Sequence, residues 1–142
     1  MLFQYPVALE QNEDGVIARF VDVPEAITFG DDEEHALHEA QDALVVALAM
    51  YIDDRQVIPS GSKPRRGQPL VCLNPLVAAK VALHNALIES KISNVRFASM
   101  MGLRENQIRR MLDLDHQSHI RPIEHGLRLL GYELIMHVSK VA

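Results

Sequence analysis

Five of the eight residues from Glu105 to Leu112 carry polar or charged side chains: Glu105, Asn106, Gln107, Arg109 and Arg110. Read with a helical period, Leu103, Ile108, Met111 and Leu112 fall on one face and those five on the other. Amide side chains can bond adenine through two hydrogen bonds, and arginine can do the same with guanine, each such pair giving about 1–3 kcal/mol of discrimination. Asn106 and Arg110 are the foremost base-reading residues on this pattern. Arg96, Arg104 and Arg121 are expected to touch phosphates, which fixes register without reading sequence. Any amphipathic helix leaves polar residues outward, so the decision between solvated face and DNA reader rests on what precedes the helix.

What precedes it has the spacing of a helix-turn-helix. Ala98 provides the small residue where two helices cross, Gly102 follows four residues later at the turn, and Leu103 and Ile108 supply apolar anchors, with Phe97 and Leu112 adding core contacts. Gly102 can take a positive φ without steric cost. The flanking sequence predicts further helices. Asn74 offers an N-cap with Pro75 at the first helical position, and Leu76, Ala79, Leu83 and Leu87 continue one stripe as far as Ser90. Asn94 is expected to cap a helix from Val95 to Met101, and the outward-facing helix runs from Arg104 or Glu105 to Leu112. A polar connection covers 113–119, and Ile120 to Leu130 predicts one more helix closing at Gly131. Leu134, Met136 and Val138 then alternate as a strand would. Such a strand has no partner within its own domain, and an unpaired edge invites a second subunit.

The first half reads as α+β. Phe3, Tyr5, Val7 and Leu9 alternate, Asn12 to Gly15 supplies a turn, and Val16, Ala18 and Phe20 alternate again, which predicts a hairpin. A third strand is expected around Ile27 to Phe29, between Pro24 and Gly30. Asp31 with Glu34 resembles a capping box, and Ala36, Leu37, Ala40, Leu44, Ala47, Leu48 and Tyr51 then predict a helix of about 20 residues. The acids Asp31 to Glu34 suit its first turn and need no catalytic explanation. The stretch IPSGSKPRRGQP predicts a long loop or linker, and Leu70 to Leu73 one more strand. A small antiparallel sheet with one long helix over residues 1–73, followed by an all-α helix-turn-helix domain with a short terminal strand over 74–142, is the expected architecture.

Charge divides the chain. Residues 1–60 hold 2 basic and 13 acidic side chains, and residues 61–142 hold 12 and 6. A basic half suits phosphate, and an acidic half suits a cationic partner or solvent. At 48% apolar and 23% charged residues the chain has enough material for packed cores. One cysteine, Cys72, permits no internal disulfide and is expected to be a buried strand residue. With no export signal or membrane-length apolar run, the expected location is the cytoplasm. His35 with His38, and His116 with His119, have helical spacing, but no further ligand completes a metal set, so neither metal nor cofactor is expected. Asp22 and Glu25 flank Pro24 and read as a solvated turn. Too few carboxylates converge on the predicted strands for a nuclease.

Taken together, the segments YPV, ARFVDVPEAITFGDDEEHALHEAQDAL, IPS, AAKVALHNALIESKISNVRFASMMG, QIRRMLDLDH and GLRLLGYEL resemble the HicB antitoxins that carry a helix-turn-helix domain. The resemblance spans nearly the whole chain, with Val21 and Glu25 standing in FVDVPE where the family more often has Pro and Gly. It implies a partial ribonuclease-H-like first domain that has lost catalysis and blocks a small basic RNA-cleaving toxin, HicA. It further implies a dimer or higher oligomer that represses its own operon from a palindromic operator. The reading from another class is a ligand-sensing transcriptional regulator with no toxin; a short basic reading frame beside the gene separates the two.

Overall fold

Alternating side chains pair the opening residues as a hairpin, β1 (Gln4–Asn12) against β2 (Gly15–Phe20), with Val7 opposite Phe20 and Asn12 opposite Gly15 in the computed structural model, which describes residues 1–141. The Asn12 side chain closes the turn, its Oδ1 accepting from the N–H groups of Asp14 and Gly15 at 2.9 and 3.0 Å. β3 (Ile27–Gly30) joins the free side of β2, and β4 (Leu70–Cys72) that of β1. The result is a four-stranded antiparallel sheet in the order β3-β2-β1-β4. Its inward phase, Tyr5, Val7, Val16, Ala18, Phe20 and Val71, is buried.

One helix, α1 (Glu33–Asp53), covers that face with the stripe Ala36, Ala40, Leu44, Ala47 and Leu48. Three alanines in the stripe let helix and strands approach closely. Asp32 caps α1, its Oδ1 accepting from His35 N–H at 2.8 Å, while Asp31 N–H donates to His35 Nδ1 at 3.1 Å. The cap thus lies one residue beyond the Asp31 read from the sequence. Glu33 and Glu34 occupy the first turn, where the unpaired N–H groups favour negative charge.

Contacts divide the chain into two compact units, one ending at Leu73 and the other beginning at Asn74. Drawn at that boundary, residues 1–73 hold 5 basic and 13 acidic side chains and residues 74–142 hold 9 and 6, so Lys63, Arg65 and Arg66 belong to the acidic unit. In the second unit α2 (Pro75–Glu89) packs on α5 (Ile120–Leu129) and on α4 (Glu105–Leu112), and α3 (Asn94–Met101) packs on α4. Leu83, Leu87, Phe97, Ile108, Ile123 and Leu127 form its core. Asn74 caps α2 as expected, accepting from Val77 N–H at 2.9 Å. Ser93 instead of Asn94 caps α3, its Oγ accepting from Arg96 N–H at 3.1 Å.

Three other expectations change. The stretch after α1 is fastened to its own unit: Tyr5 Oη donates to Pro59 O at 2.9 Å, Ser62 donates to Asp22 Oδ2 from N–H and Oγ at 2.9 and 3.0 Å, and Ile58 is buried. Asp22 and Glu25 are therefore bonded residues, Glu25 accepting from Tyr51 Oη at 2.9 Å. Cys72 lies in β4 but is exposed, because Val71 takes the inward phase of that edge strand. The terminal strand is absent from the described residues: 132–141 form no ladder.

Candidate functional site

The turn between α3 and α4 is built by backbone bonds that a glycine permits. Gly102 sits at φ 66° and ψ 30°, its N–H donating to Ser99 O at 3.2 Å while Leu103 N–H donates to Ala98 O at 2.9 Å. This doubly bonded end satisfies carbonyls that the helix leaves open and turns the chain sharply. α4 follows after only two more residues, with Ile108, Met111 and Leu112 buried and Leu103 half-buried. The opposite face carries the residues read from the sequence. Asn106, Gln107, Arg109 and Arg110 are exposed and Glu105 is half-buried.

These five are not equivalent. Arg109 Nη2 donates to Glu105 Oε1 at 2.8 Å one turn away, so each charge is largely offset by the other. Gln107 Oε1 accepts from Arg104 N–H at 2.9 Å and thereby finishes the start of α4, where an arginine side chain has no acceptor to offer. That bond ties the Gln107 amide to the helix start and limits how it can turn toward a partner. Among the described residues, no side-chain hydrogen bond or ion pair engages Asn106 or Arg110. Arg96 on α3, Arg104 before α4 and Arg121 on α5 are all exposed.

A residue the sequence reading passed over holds this helix in place. Lys80 on α2 is fully buried, and its Nζ donates to the carbonyl oxygens of Arg110 at 3.2 Å, Asp113 at 2.5 Å and His116 at 2.7 Å. An ammonium has three donors and no acceptor, so all of them are used. It meets α4 at its C-terminus, where the open carbonyls carry partial negative charge. Burial holds its pKa below the usual lysine range, with Asp113 and Asp115 pulling it upward. Ser118 Oγ donates to Arg110 O at 3.2 Å and stands 2.8 Å from His116 Nδ1, closing the same loop. The available signal was a lysine four residues after Leu76 and three before Leu83, on a stripe otherwise apolar.

α5 completes the support through a close approach. A side chain at Gly126 would place its Cβ 2.7 Å from Phe97 Cζ and 3.4 Å from Leu83 Cδ1, so a helix-interior glycine is needed for the three helices to meet.

The first unit presents a different surface. An open cleft of about 490 Å³ lies between the β1–β2 turn and the start of α1, bordered by Glu13, Asp14, Asp31, Asp32, Glu33 and Glu34. Such a concentration of carboxylates attracts cations and basic side chains from a distance. His35 stands 3.7 Å from both Asp31 and Glu39. Tyr51 is held by Glu25, and burial first, then that bond and charge, raise its pKa.

The class defined by this fold is a two-unit α+β protein, an acidic sheet-and-helix unit followed by a unit of four helices. A family model described as the HicB-like antitoxin of a bacterial toxin–antitoxin system matches residues 4–82, more than half of the chain and all four strands. Antitoxin HicB 2 of Photorhabdus laumondii is 40% identical over 131 residues, covering 92% of this chain and 93% of its own. Antitoxin HicB of Pseudomonas fluorescens is 34% identical over 140 residues, covering 98% and 96%. Antitoxin HicB of Escherichia coli is 34% identical over 132 residues, covering 92% and 96%. The chain belongs to the HicB-like antitoxin family. No helix among the described residues is long and apolar enough to cross a membrane.

Proposed function

We propose that the protein neutralises a HicA-type mRNA-cleaving toxin through residues 1–73 and represses its own operon through residues 74–142, acting in the cytoplasm as a dimer or higher oligomer. The first unit is read as the partial ribonuclease-H-like fold of the family, without catalysis. Its acidic cleft supports the pairing, since opposite charge speeds encounter with a basic partner and excludes like-charged ones. The same cleft argues against a small-molecule sensor: it is open and lined by carboxylates, whereas ligand pockets are mostly apolar and enclosed.

The second unit is read as a helix-turn-helix, with α3 as its supporting helix and α4 lying in the major groove of operator DNA. One observation carries this reading. Asn106 and Arg110 stand exposed and uncommitted on a helix whose far end is clamped by three bonds from Lys80. Base readout needs side chains that are free on a backbone that is not. Arg96, Arg104 and Arg121 serve phosphates, Gln107 and Glu105 shape the helix start, and Arg109 joins the DNA contacts when its pair with Glu105 opens.

Gel-shift titration with DNA from upstream of the protein's own gene tests the DNA half. Arg110→Ala is expected to weaken binding by about 5- to 150-fold, the equivalent of one lost bidentate contact. Unchanged binding removes Arg110 from the reading face. Co-expression with the neighbouring small basic protein tests the other half: growth should recover and the two proteins should co-purify.

A further inference from the structure

The first unit holds 13 acidic and 5 basic side chains, yet three of those five, Lys63, Arg65 and Arg66, fall within four residues. All three are exposed, and among the described residues no hydrogen bond or ion pair engages their side chains. Asp22, the carboxylate bonded to this segment, accepts both Ser62 donors through Oδ2. Along the chain the nearest acids are Asp54 and Glu89, so the three cations stand in its longest stretch without a carboxylate. The backbone beneath them is fixed. Arg65 N–H donates to Gln68 Oε1 and Gln68 N–H to Arg65 O, both at 3.0 Å, closing a turn in which Gly67 takes a positive φ of 74°. Asp22 holds Ser62 on one side of the turn, and on the other Pro69 O accepts from Val7 N–H at 2.9 Å. Such a turn presents its cations without first having to be ordered.

We propose that Lys63, Arg65 and Arg66 hold phosphates of the operator duplex beside the bases read by α4, adding affinity and register but no base reading. The proposal rests on the DNA reading above and extends it to the first unit. Three arguments select duplex DNA as the partner. Guanidinium and ammonium groups clustered without carboxylates suit a polyanion, and arginine matches phosphate oxygens two at a time. Single-stranded RNA is held largely by stacking of its bases, and residues 56–73 contain no aromatic side chain. The third argument is the field of the first unit itself. Its net charge of −8 (5 − 13) outweighs the +3 (9 − 6) of the second unit and opposes approach to DNA. A turn with three cations and no carboxylate of its own is the part of that unit a duplex tolerates at close range. Only Gly67 to Leu73 separate Arg66 from Asn74, so the turn stays within about 30 Å of the start of the second unit however the two are arranged.

Fluorescence anisotropy of the full chain with DNA from upstream of its gene, at about 50 to 200 mM KCl, tests the contact. Three phosphate contacts account for about 2.7 of the log-log salt slope for each bound subunit. Lys63→Gln/Arg65→Gln/Arg66→Gln should therefore lower the slope by about 2–3, so that the affinity lost between the two salt concentrations shrinks by about 40-fold. The ratio of operator to scrambled-duplex affinity should hold, because phosphate contacts carry no sequence information. Arg65→Lys/Arg66→Lys, which keeps the charges, should keep the slope to within about 0.5. Gln4→Glu/His38→Glu/Gln41→Glu makes the same charge change at other exposed positions of the first unit and should leave the slope as in the parent. An equal fall in that variant makes the effect one of net charge and overturns the contact. A parent that binds the operator specifically, with a slope the triple glutamine variant shares, overturns the contact and leaves α4 as the reader. A parent without operator binding overturns both. Single-stranded RNA binding that is lost in the triple variant while duplex binding is intact assigns the turn to RNA and overturns the proposal. The substituted side chains are exposed, so the fold should be kept, which circular dichroism verifies. If the triple variant loses its helical signal, Arg65→Gln and Arg66→Gln are read singly, a fall of about 0.9 in slope being expected of each and no fall in either overturning the contact.

Discussion

Replacing Lys80 by methionine removes three hydrogen bonds while keeping most of the side chain's length and apolar stem. A hydrogen bond involving a charged group contributes about 1.5–3 kcal/mol, so the gross loss is large. Two effects reduce it. Each carbonyl keeps another donor: Asp113 O accepts from His116 N–H at 3.1 Å, His116 O from Ser118 N–H at 2.9 Å, and Arg110 O from Ser118 Oγ at 3.2 Å. Methionine also avoids the cost of holding a cation out of water, which is several kcal/mol. The balance is a loss of about 2–4 kcal/mol, a large share of the roughly 3–10 kcal/mol that holds a unit of this size together.

Urea unfolding followed by circular dichroism should show that loss in Lys80→Met. In the native state, hydrogen exchange of residues 113–118 should quicken more than that of α2. Operator binding should weaken as well, because the end of α4 is no longer held. Lys80→Met with stability within 0.5 kcal/mol of the parent and unchanged exchange at 113–118 would refute the clamp.

Other consequences follow from individual contacts. Burial first and the Asp22 charge second push the Tyr5 pKa up to about 12 from 10.0. The folded state therefore keeps that proton where the unfolded state loses it, and about 2–3 kcal/mol present below pH 10 should fade as pH rises toward 12. Urea unfolding of Tyr5→Phe, in which this loss is missing, isolates it. Gly126→Ala should cost about 1–3 kcal/mol despite alanine's better helix propensity, because Phe97 has to move; thermal melts decide it. Glu105→Gln should free Arg109 for phosphate, tightening operator binding and steepening its log-log salt dependence by about 0.9, with stability changed by no more than about 0.5 kcal/mol.

The sequence displayed what depends on period and local chemistry. Strand alternation, the α1 stripe, the Asn74 cap with Pro75, and Gly102 at a tight helix end all follow from neighbours close along the chain, and each stands in the structure. What it concealed depends on distant partners. Lys80 looked like an interruption of a stripe because its acceptors lie 30 to 36 residues away. Asp22 and Glu25 looked solvated because Ser62 and Tyr51 meet them only after the chain has folded back. Cys72 was misplaced because in a three-residue edge strand the inward phase is set by pairing with β1, which composition does not reveal. On α4 the polar face was legible, but the Glu105–Arg109 pair and the engaged Gln107 amide, which rank its members, were not.

The division of labour between the two units is tested most directly by one double variant, Asn106→Ala/Arg110→Ala, assayed from a single preparation. Calorimetry with the neighbouring toxin and gel shift with the upstream DNA are run side by side. Toxin binding equal to that of the parent, with operator binding at least 100-fold weaker, is the expected pair of results. Operator binding that survives both substitutions, or toxin binding that falls with it, contradicts the assignment of the two tasks to separate units.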